Sequence, residues 1–277
     1  MNPTPQALFL PAPVGTSGQR FALFHPAASA LDRRGAVLYI HPFAEEMNKS
    51  RRMAALQARA LAQGGFDVLQ LDLLGCGDSS GDFGDATWGL WVTDVLRGCQ
   101  WLRQRNPGPL WLWGLRAGCL LAVDAAQQLA EPCHFLFWQP PSNGKTLLQQ
   151  FMRLKAAGDL MGGQAKTIMQ GLRDQLARGE SVEIVGYMVS PGLASGLEQA
   201  TLNPPAVKDA AQRVEWFELS TRADATLSPV ASQTIAQWQQ AGCSVTAHLV
   251  NGPAFWQTTE IEDAPALIAA TSQALCN

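Results

Sequence analysis

A five-residue segment near the middle of the chain has the spacing of a nucleophile turn, but its central residue is an arginine. Residues 114–118, GLRAG, separate an apolar run that predicts a strand from one that predicts a helix. In a G-x-S-x-G turn, the central serine attacks a carbonyl carbon. A guanidinium stays protonated and offers no lone pair, so Arg116 cannot act as this nucleophile. The two glycines are expected because backbones approach closely at such a sharp turn.

Composition and charge restrict the classes of function. The chain has 277 residues and a net charge of −3, and its Lys and Arg residues do not form blocks, which argues against nucleic acid or a polybasic membrane contact. Neither a signal peptide nor an apolar run of transmembrane length is visible, so we expect a cytoplasmic protein. The six cysteines form no C-x-x-C pair; we therefore expect free thiols, no metal site and no cofactor.

The elements around this turn alternate between strand and helix. Apolar strand-like runs such as AVLYIHP, FDVLQLDL, PLWLWGL and HFLFWQP are each separated by a helical pattern, after two short strands near the amino terminus. This order predicts an α/β fold with a mostly parallel central sheet covered by helices on both faces. Residues 142–202 break the alternation with helical segments, so we interpret them as a helical cap inserted into a single domain, 1–277.

Three motifs lie at the ends of successive predicted strands. They are the elbow GLRAG, the loop DLLGCGDS that begins at Asp72, and the segment His41-Pro42-Phe43. In their chain order, from His41 through Asp72 to the elbow, they resemble the α/β-hydrolase fold. There the elbow holds the nucleophile, and the segment after the third strand supplies an oxyanion-hole amide. The resemblance implies the fold and does not establish an activity.

Longer stretches resemble a narrower group. HPFAEEMNKSRRM, LDLLGCGDSSGDF, GLRAG and NGPAFWQTTEIEDAP together are similar to the hydrolase-like protein, type 2, that accompanies the bacterial exosortase A system. This resemblance covers nearly the whole chain. It implies an accessory protein of exopolysaccharide production or of the linked protein-sorting system, with a protein of that system as a partner.

The resemblance also locates the other two members of a Ser-His-Asp relay. Asp224 stands where the acid is expected, although it could equally cap the following helix. The base would follow the strand SVTAHLV, yet residues 251–256 read NGPAFW and contain no histidine. Of the four histidines, His41 alone is predicted at the carboxyl edge of the sheet, where active sites of open sheets gather. Two of the three relay members are therefore missing.

A cation at the elbow needs a partner, because an unpaired buried charge is costly. Glu45 and Glu46 follow the neighbouring strand, and we predict that one of them pairs with Arg116. This pair either fills a pocket without activity or leaves Arg116 free to bind an anion, such as a carboxylate or a phosphorylated or uronic sugar. Paired carboxylates could also carry out general acid/base chemistry.

Further side chains could line the same pocket. Lys145, with Asn143, could add to an anion site, although a solvated loop is the simpler interpretation. Cys76 is the best thiol alternative as a nucleophile, but it has no adjacent histidine to activate it, whereas Cys119 is expected to be buried. The remaining candidate ligand contacts, several of which could instead be core residues, are Phe43, Leu115, Ala117, Phe255 and Trp256.

Three functions remain open from the sequence. The first is a hydrolase-like protein without the standard relay that binds a small anionic or acyl ligand or a protein partner. The second is an active ester or thioester hydrolase, or an acyltransferase, that uses His41, Glu45, Glu46, Cys76 or Asp224. The third is an interaction module, such as a homodimer formed through the cap or the last helix; an exposed apolar stripe on LLQQFMRLKAAGDLM would favour it.

Overall fold

An eight-stranded sheet forms the centre of the computed structural model, which describes residues 4–12, 17–29, 33–158, 165–206 and 212–276. The strand order is β1-β2-β4-β3-β5-β6-β9-β10; β1, β2 and β4 pair antiparallel and all other neighbours pair parallel. The ten strands of the described chain are β1 (Gln6–Pro11), β2 (Gln19–His25), β3 (Gly35–Ile40), β4 (Phe66–Leu71), β5 (Leu110–Leu115), β6 (His134–Trp138), β7 (Val182–Ile184), β8 (Tyr187–Val189), β9 (Arg213–Ser220) and β10 (Ser244–Asn251).

Helices cover both faces of this sheet. One apolar core lies between the sheet and the faces of α2, α3 and α7, and a second lies beneath α1 and α8. The predicted α/β class with a mostly parallel, two-sided sheet is therefore confirmed. The described helices are α1 (Glu45–Gln63), α2 (Trp88–Arg103), α3 (Ala117–Gln128), α4 (Gly144–Gly158), α5 (Ala165–Ala177), α6 (Pro191–Gln199), α7 (Pro229–Gln240) and α8 (Pro265–Cys276).

The insertion between β6 and β9 is closed at its base. Asn143 and Thr201 form an antiparallel bridge, and the Gly144 N–H donates to the Ala200 carbonyl over 3.0 Å. These contacts bring the two ends of the expected 142–202 cap together. The cap is not wholly helical, however, because β7 and β8 form an antiparallel hairpin between α5 and α6. Strands of three residues are too short to give a hydrophobic alternation that the sequence could reveal.

The cap helix α4 turns its apolar stripe inward. Leu147, Leu148, Phe151 and Met152 are all buried, and only Leu154 on this helix is an exposed large apolar residue. The exposed stripe that would favour an interaction module is therefore absent from the described part of α4.

The turn between β5 and α3 is held by close backbone contacts. A Cβ on Gly114 would lie 2.5 Å from the Cys119 amide nitrogen, and one on Gly118 would lie 2.1 Å from the Ile40 carbonyl oxygen. Such distances are too short for any side chain, so the two glycines are required by packing, as the sequence predicts.

We expect Gly118→Ala to lower the free energy of unfolding by about 1–3 kcal/mol, because α3 must move away from β3 to admit the methyl group. The control is Gly171→Ala on α5, where a Cβ would meet nothing within 4 Å and where alanine should stabilise the helix by about 0.5–1 kcal/mol. Urea unfolding monitored by tryptophan fluorescence measures both. Equal effects of the two substitutions would contradict the packing argument.

Candidate functional site

The elbow residue Arg116 adopts the strained backbone that the turn imposes. Its φ is 54° and its ψ is −118°, at the residue immediately before α3 begins. A positive φ is uncommon for a residue with a side chain. The Arg116 N–H donates to the Trp138 carbonyl over 3.0 Å, which ties the elbow to the neighbouring strand β6.

The Arg116 guanidinium lies in a small, partly buried cluster. Its Nε donates to Glu46 Oε1 over 3.4 Å, and one Nη2 hydrogen is directed to Gln150 Oε1 over 3.2 Å. Its central carbon lies 5.8 Å from the centroid of the Trp256 ring, within cation–π range. The side chains of Arg116 and Glu46 are 12% and 17% exposed. The predicted pair with an acid of the 45–46 segment is therefore confirmed, with Glu46 as the partner.

Glu46 is an unusual counter-ion because most of its carboxylate is out of water. Burial raises its pKa, while the Arg116 charge and the Gln257 side chain oppose that rise. Its second oxygen, Oε2, is buried and has no hydrogen-bond partner with good geometry among the described residues. Glu45, one residue earlier in the first turn of α1, is instead partly exposed. Burial raises the pKa of Tyr187, and the negative charge of Glu45 adds to that rise.

Trp256 stands in the loop after β10, where the relay histidine was sought in the sequence. The residue is 4% exposed, and its Nε1–H is buried with no acceptor among the described residues. Its neighbour Phe255 packs edge-on against Trp138 at 6.1 Å between ring centroids. Arg116 and Trp256 therefore lie beside each other, at the two chain positions where the sequence analysis looks for a serine and a histidine.

His41 does not reach this cluster as a free base. Its Nδ1 lies 2.8 Å from the Pro42 carbonyl and its Nε2 lies 3.4 Å from the Leu73 amide nitrogen. The carbonyl can only accept and the amide can only donate, so these contacts fix a neutral imidazole with both nitrogens engaged. Burial lowers its pKa further. The geometry gives His41 a structural role rather than the catalytic role considered from the sequence.

Asp224 is not placed as a catalytic acid. Its side chain is 76% exposed and pairs with Arg222 at 3.0 Å. Nor does it cap α7, since Ser228 accepts from the Ala231 N–H at that helix start. The helix-cap interpretation of Asp224 is therefore wrong, and no described hydrogen bond or ion pair joins its carboxylate to the Arg116 cluster.

The remaining candidates divide between core and surface. Cys76 is buried, and burial together with the Asp72 charge raises the pKa of its thiol, so it holds no thiolate for attack. Lys145 is exposed and lines a cap cavity of about 360 Å³ that none of Arg116, Glu46, Gln150 and Trp256 lines. Phe43 packs against Phe151 of the cap. Leu115 and Ala117 are fully enclosed core residues.

One member of the cluster was missed from the sequence. Gln150 lies in the middle of α4, where a polar residue in an amphipathic helix is typical of a solvated face. Only the docking of the cap over the elbow brings its amide oxygen to Arg116. Across the described ranges, no three His, Cys, Asp or Glu side chains are arranged to hold a metal ion, and none of the helices described is long and apolar enough to span a membrane.

Comparison with known sequences gives partial matches. No protein-family model matches the chain. Protein ABHD12B of Homo sapiens is 29% identical over 168 residues, which are 59% of this chain and 45% of that protein. An uncharacterized protein of Rickettsia prowazekii (strain Madrid E), RP471, is 29% identical over 109 residues, 39% of this chain and 44% of that protein. The matched regions thus span less than half of each of these relatives.

Comparison with solved structures covers almost the whole chain. Est1E from Butyrivibrio proteoclasticus, with bound ferulic acid, aligns with a TM-score of 0.69 at 14% identity over 97% of this chain and 98% of that one. A carboxyl esterase from Bacillus coagulans aligns with a TM-score of 0.64 at 12% identity, covering 99% and 97%. A monoglyceride lipase variant from Saccharomyces cerevisiae gives 0.62 at 15% identity, covering 98% and 94%. At these identities the likeness shows the fold alone.

We expect Arg116→Met to make stability depend on pH through Glu46. Without the arginine, the buried carboxylate loses its counter-charge, and its pKa rises further above the unfolded value. A raised folded-state pKa destabilises the fold as pH increases through it. The variant should therefore match the wild type near pH 5 and lose about 1–3 kcal/mol by pH 8.

Chemical denaturation across this pH range measures the effect, with the double variant Arg116→Met/Glu46→Gln as the control. The double variant should lose the added pH dependence, because the amide does not titrate. A pH dependence that persists without the Glu46 carboxylate would assign it to another group.

Proposed function

We propose that this chain, which has the α/β-hydrolase fold, is a hydrolase-like protein without the Ser-His-Asp relay and that it binds an anionic ligand through Arg116. The observation that carries the proposal is the position of the guanidinium. It projects from the elbow into the place where a nucleophile would meet substrate, and it is held there by Glu46, Gln150 and Trp256.

The guanidinium keeps donors for a ligand. Of its five N–H groups, one on Nε and one on Nη2 have acceptors among the described residues. The two N–H groups of Nη1 and the second of Nη2 remain, on the edge that suits a carboxylate or phosphate in a bidentate arrangement. The free amides at the start of α3 also favour negative charge at this position.

The same contacts argue against a conventional hydrolase. The His41 ring is engaged by the backbone, and Cys76 is a buried thiol. Asp224 is exposed to solvent. A residual hydrolase or acyltransferase activity would have to use Glu46 as its acid or base, because Glu46 alone among the candidate bases touches Arg116.

The chemical context of the ligand comes from the motif resemblance. An accessory role in exopolysaccharide production or exosortase-linked sorting would supply uronic acids, phosphorylated sugars or acyl carboxylates as anions. The same accessory role would supply a protein partner, and a cytoplasmic location fits these ligands.

We also propose that the chain forms a homodimer. Light scattering would measure its oligomeric state.

Hydrolysis assays test the loss of the relay. We expect the wild type, Arg116→Ser and Arg116→Ala to hydrolyse p-nitrophenyl acetate and an acetyl thioester no faster than buffer. A serine restored at the elbow should gain nothing, since a hydroxyl without a general base is a weak nucleophile. Turnover by the wild type that disappears in Arg116→Ala would overturn the proposal and assign the arginine to a mechanism of its own.

Calorimetric titration with galacturonate, and with galactose as its neutral match, tests the binding role. We expect galacturonate, and not galactose, to depend on Arg116 for binding. Arg116→Met should therefore lose the binding of galacturonate. A ligand carboxylate on Arg116 displaces the Glu46 counter-charge, so binding should take up a proton and weaken as pH rises, by up to about tenfold per unit.

Glu46→Gln provides the matched comparison. It should bind galacturonate more tightly at pH 7.5 than the wild type and without proton uptake, because the amide does not compete as an anion. Equal binding of galacturonate by wild type and Arg116→Met would contradict the proposal.

A further inference from the structure

A second cavity lies beneath α1 and is lined by other residues than the Arg116 cluster. It encloses about 220 Å³ between the helix and strands β2, β4 and β3. Its floor includes Leu23, Tyr39 and Gln70, which lie side by side because Tyr39 and Leu23 both pair in register with Gln70. None of the residues that line it is Arg116, Glu46, Gln150 or Trp256.

The roof explains why the space exists. The helix face above these strands presents Met47, Arg51, Ala54 and Ala55, at the spacing of successive helical turns. The two alanine side chains are too short to reach the sheet, and interiors normally leave few voids larger than a water molecule. The cavity therefore results from the small side chains on α1 and not from a separation between this helix and the sheet.

A tyrosine lines the floor of this cavity. Tyr39 is 5% exposed as a whole residue. Burial raises its pKa, so the phenol keeps its proton and can both donate and accept. Beside it, Gln70 Oε1 accepts from His25 Nε2 over 2.8 Å, which leaves the Gln70 amide N–H groups as donors.

The two charges at the cavity neutralise each other. Arg51 Nη2 donates to Asp72 Oδ2 over 3.2 Å, and that oxygen also accepts the Asp78 N–H over 3.1 Å. The other carboxylate oxygen of Asp72 remains as an acceptor. A charged ligand would disturb this balance, whereas a neutral one keeps it.

We propose that this cavity is a binding site for a small neutral polyol. Adjacent hydroxyls both donate and accept, which matches the Tyr39 hydroxyl, the Gln70 amide and the free Asp72 oxygen. The carbon skeleton of the ligand packs against Leu23, Met47 and Ala54. The volume is below the range of about 300–1,000 Å³ of drug-sized pockets, which limits the ligand to a molecule such as glycerol or a cyclitol.

Ligand-observed NMR with glycerol and myo-inositol tests this site. We expect saturable binding to the wild type and to Arg116→Met, because the elbow does not contribute to the cavity. Tyr39→Phe removes one hydroxyl without changing the shape and should weaken binding by about tenfold. Ala54→Leu fills the cavity from the roof and should abolish binding, with thermal unfolding used to verify that the variant is folded.

Each result decides the proposal. Absence of saturable binding of both probes to the wild type overturns it. Binding that Tyr39→Phe leaves unchanged also overturns it, and this variant keeps the test valid if Ala54→Leu does not fold. Binding lost in Arg116→Met would move the polyol to the elbow and refute a separate site.

Discussion

The close contact between the start of α3 and the end of β3 is the constraint on which the site depends. Gly118 approaches the Ile40 carbonyl so tightly that no side chain fits between them. This contact forces the chain to leave β5 through a sharp turn, which places Arg116 at a positive φ immediately before α3. The direction of Arg116 is thus a consequence of backbone packing and not of the arginine itself.

Once a guanidinium is held there, its surroundings follow from the cost of a partly buried charge. Glu46 supplies the counter-charge from the first turn of α1, Trp256 supplies a π face, and Gln150 supplies an amide oxygen from the cap. The compensation by Glu46 is incomplete, because its contact with Arg116 is long at 3.4 Å and its second oxygen has no hydrogen-bond partner among the described residues. If Arg116 and Glu46 formed an ion pair in which every hydrogen bond was made, an anionic ligand would replace Glu46 less readily.

Local patterns predicted the parts of the fold that depend on local sequence. The strand–helix alternation, the elbow glycines and the missing histidine were all readable, because each is set by residues adjacent in the chain. The Arg116–Glu46 pair was also predictable, since the carboxyl ends of the neighbouring parallel strands β3 and β5 meet at one edge. Tertiary docking set the rest. Gln150 reaches the elbow only through the cap, and Asp224 is exposed and paired with Arg222.

Backbone strain is concentrated at one edge of the sheet. Within the described ranges, four residues other than glycine have a positive φ, and Ala44, Arg116 and Gln139 among them follow β3, β5 and β6. These three strands are neighbours, so the strain is concentrated along one edge. Each such conformation costs on the order of 1–3 kcal/mol and persists only where the surrounding structure imposes it. The surrounding packing, such as the contact of Gly118 with the Ile40 carbonyl, therefore holds these turns against relaxation.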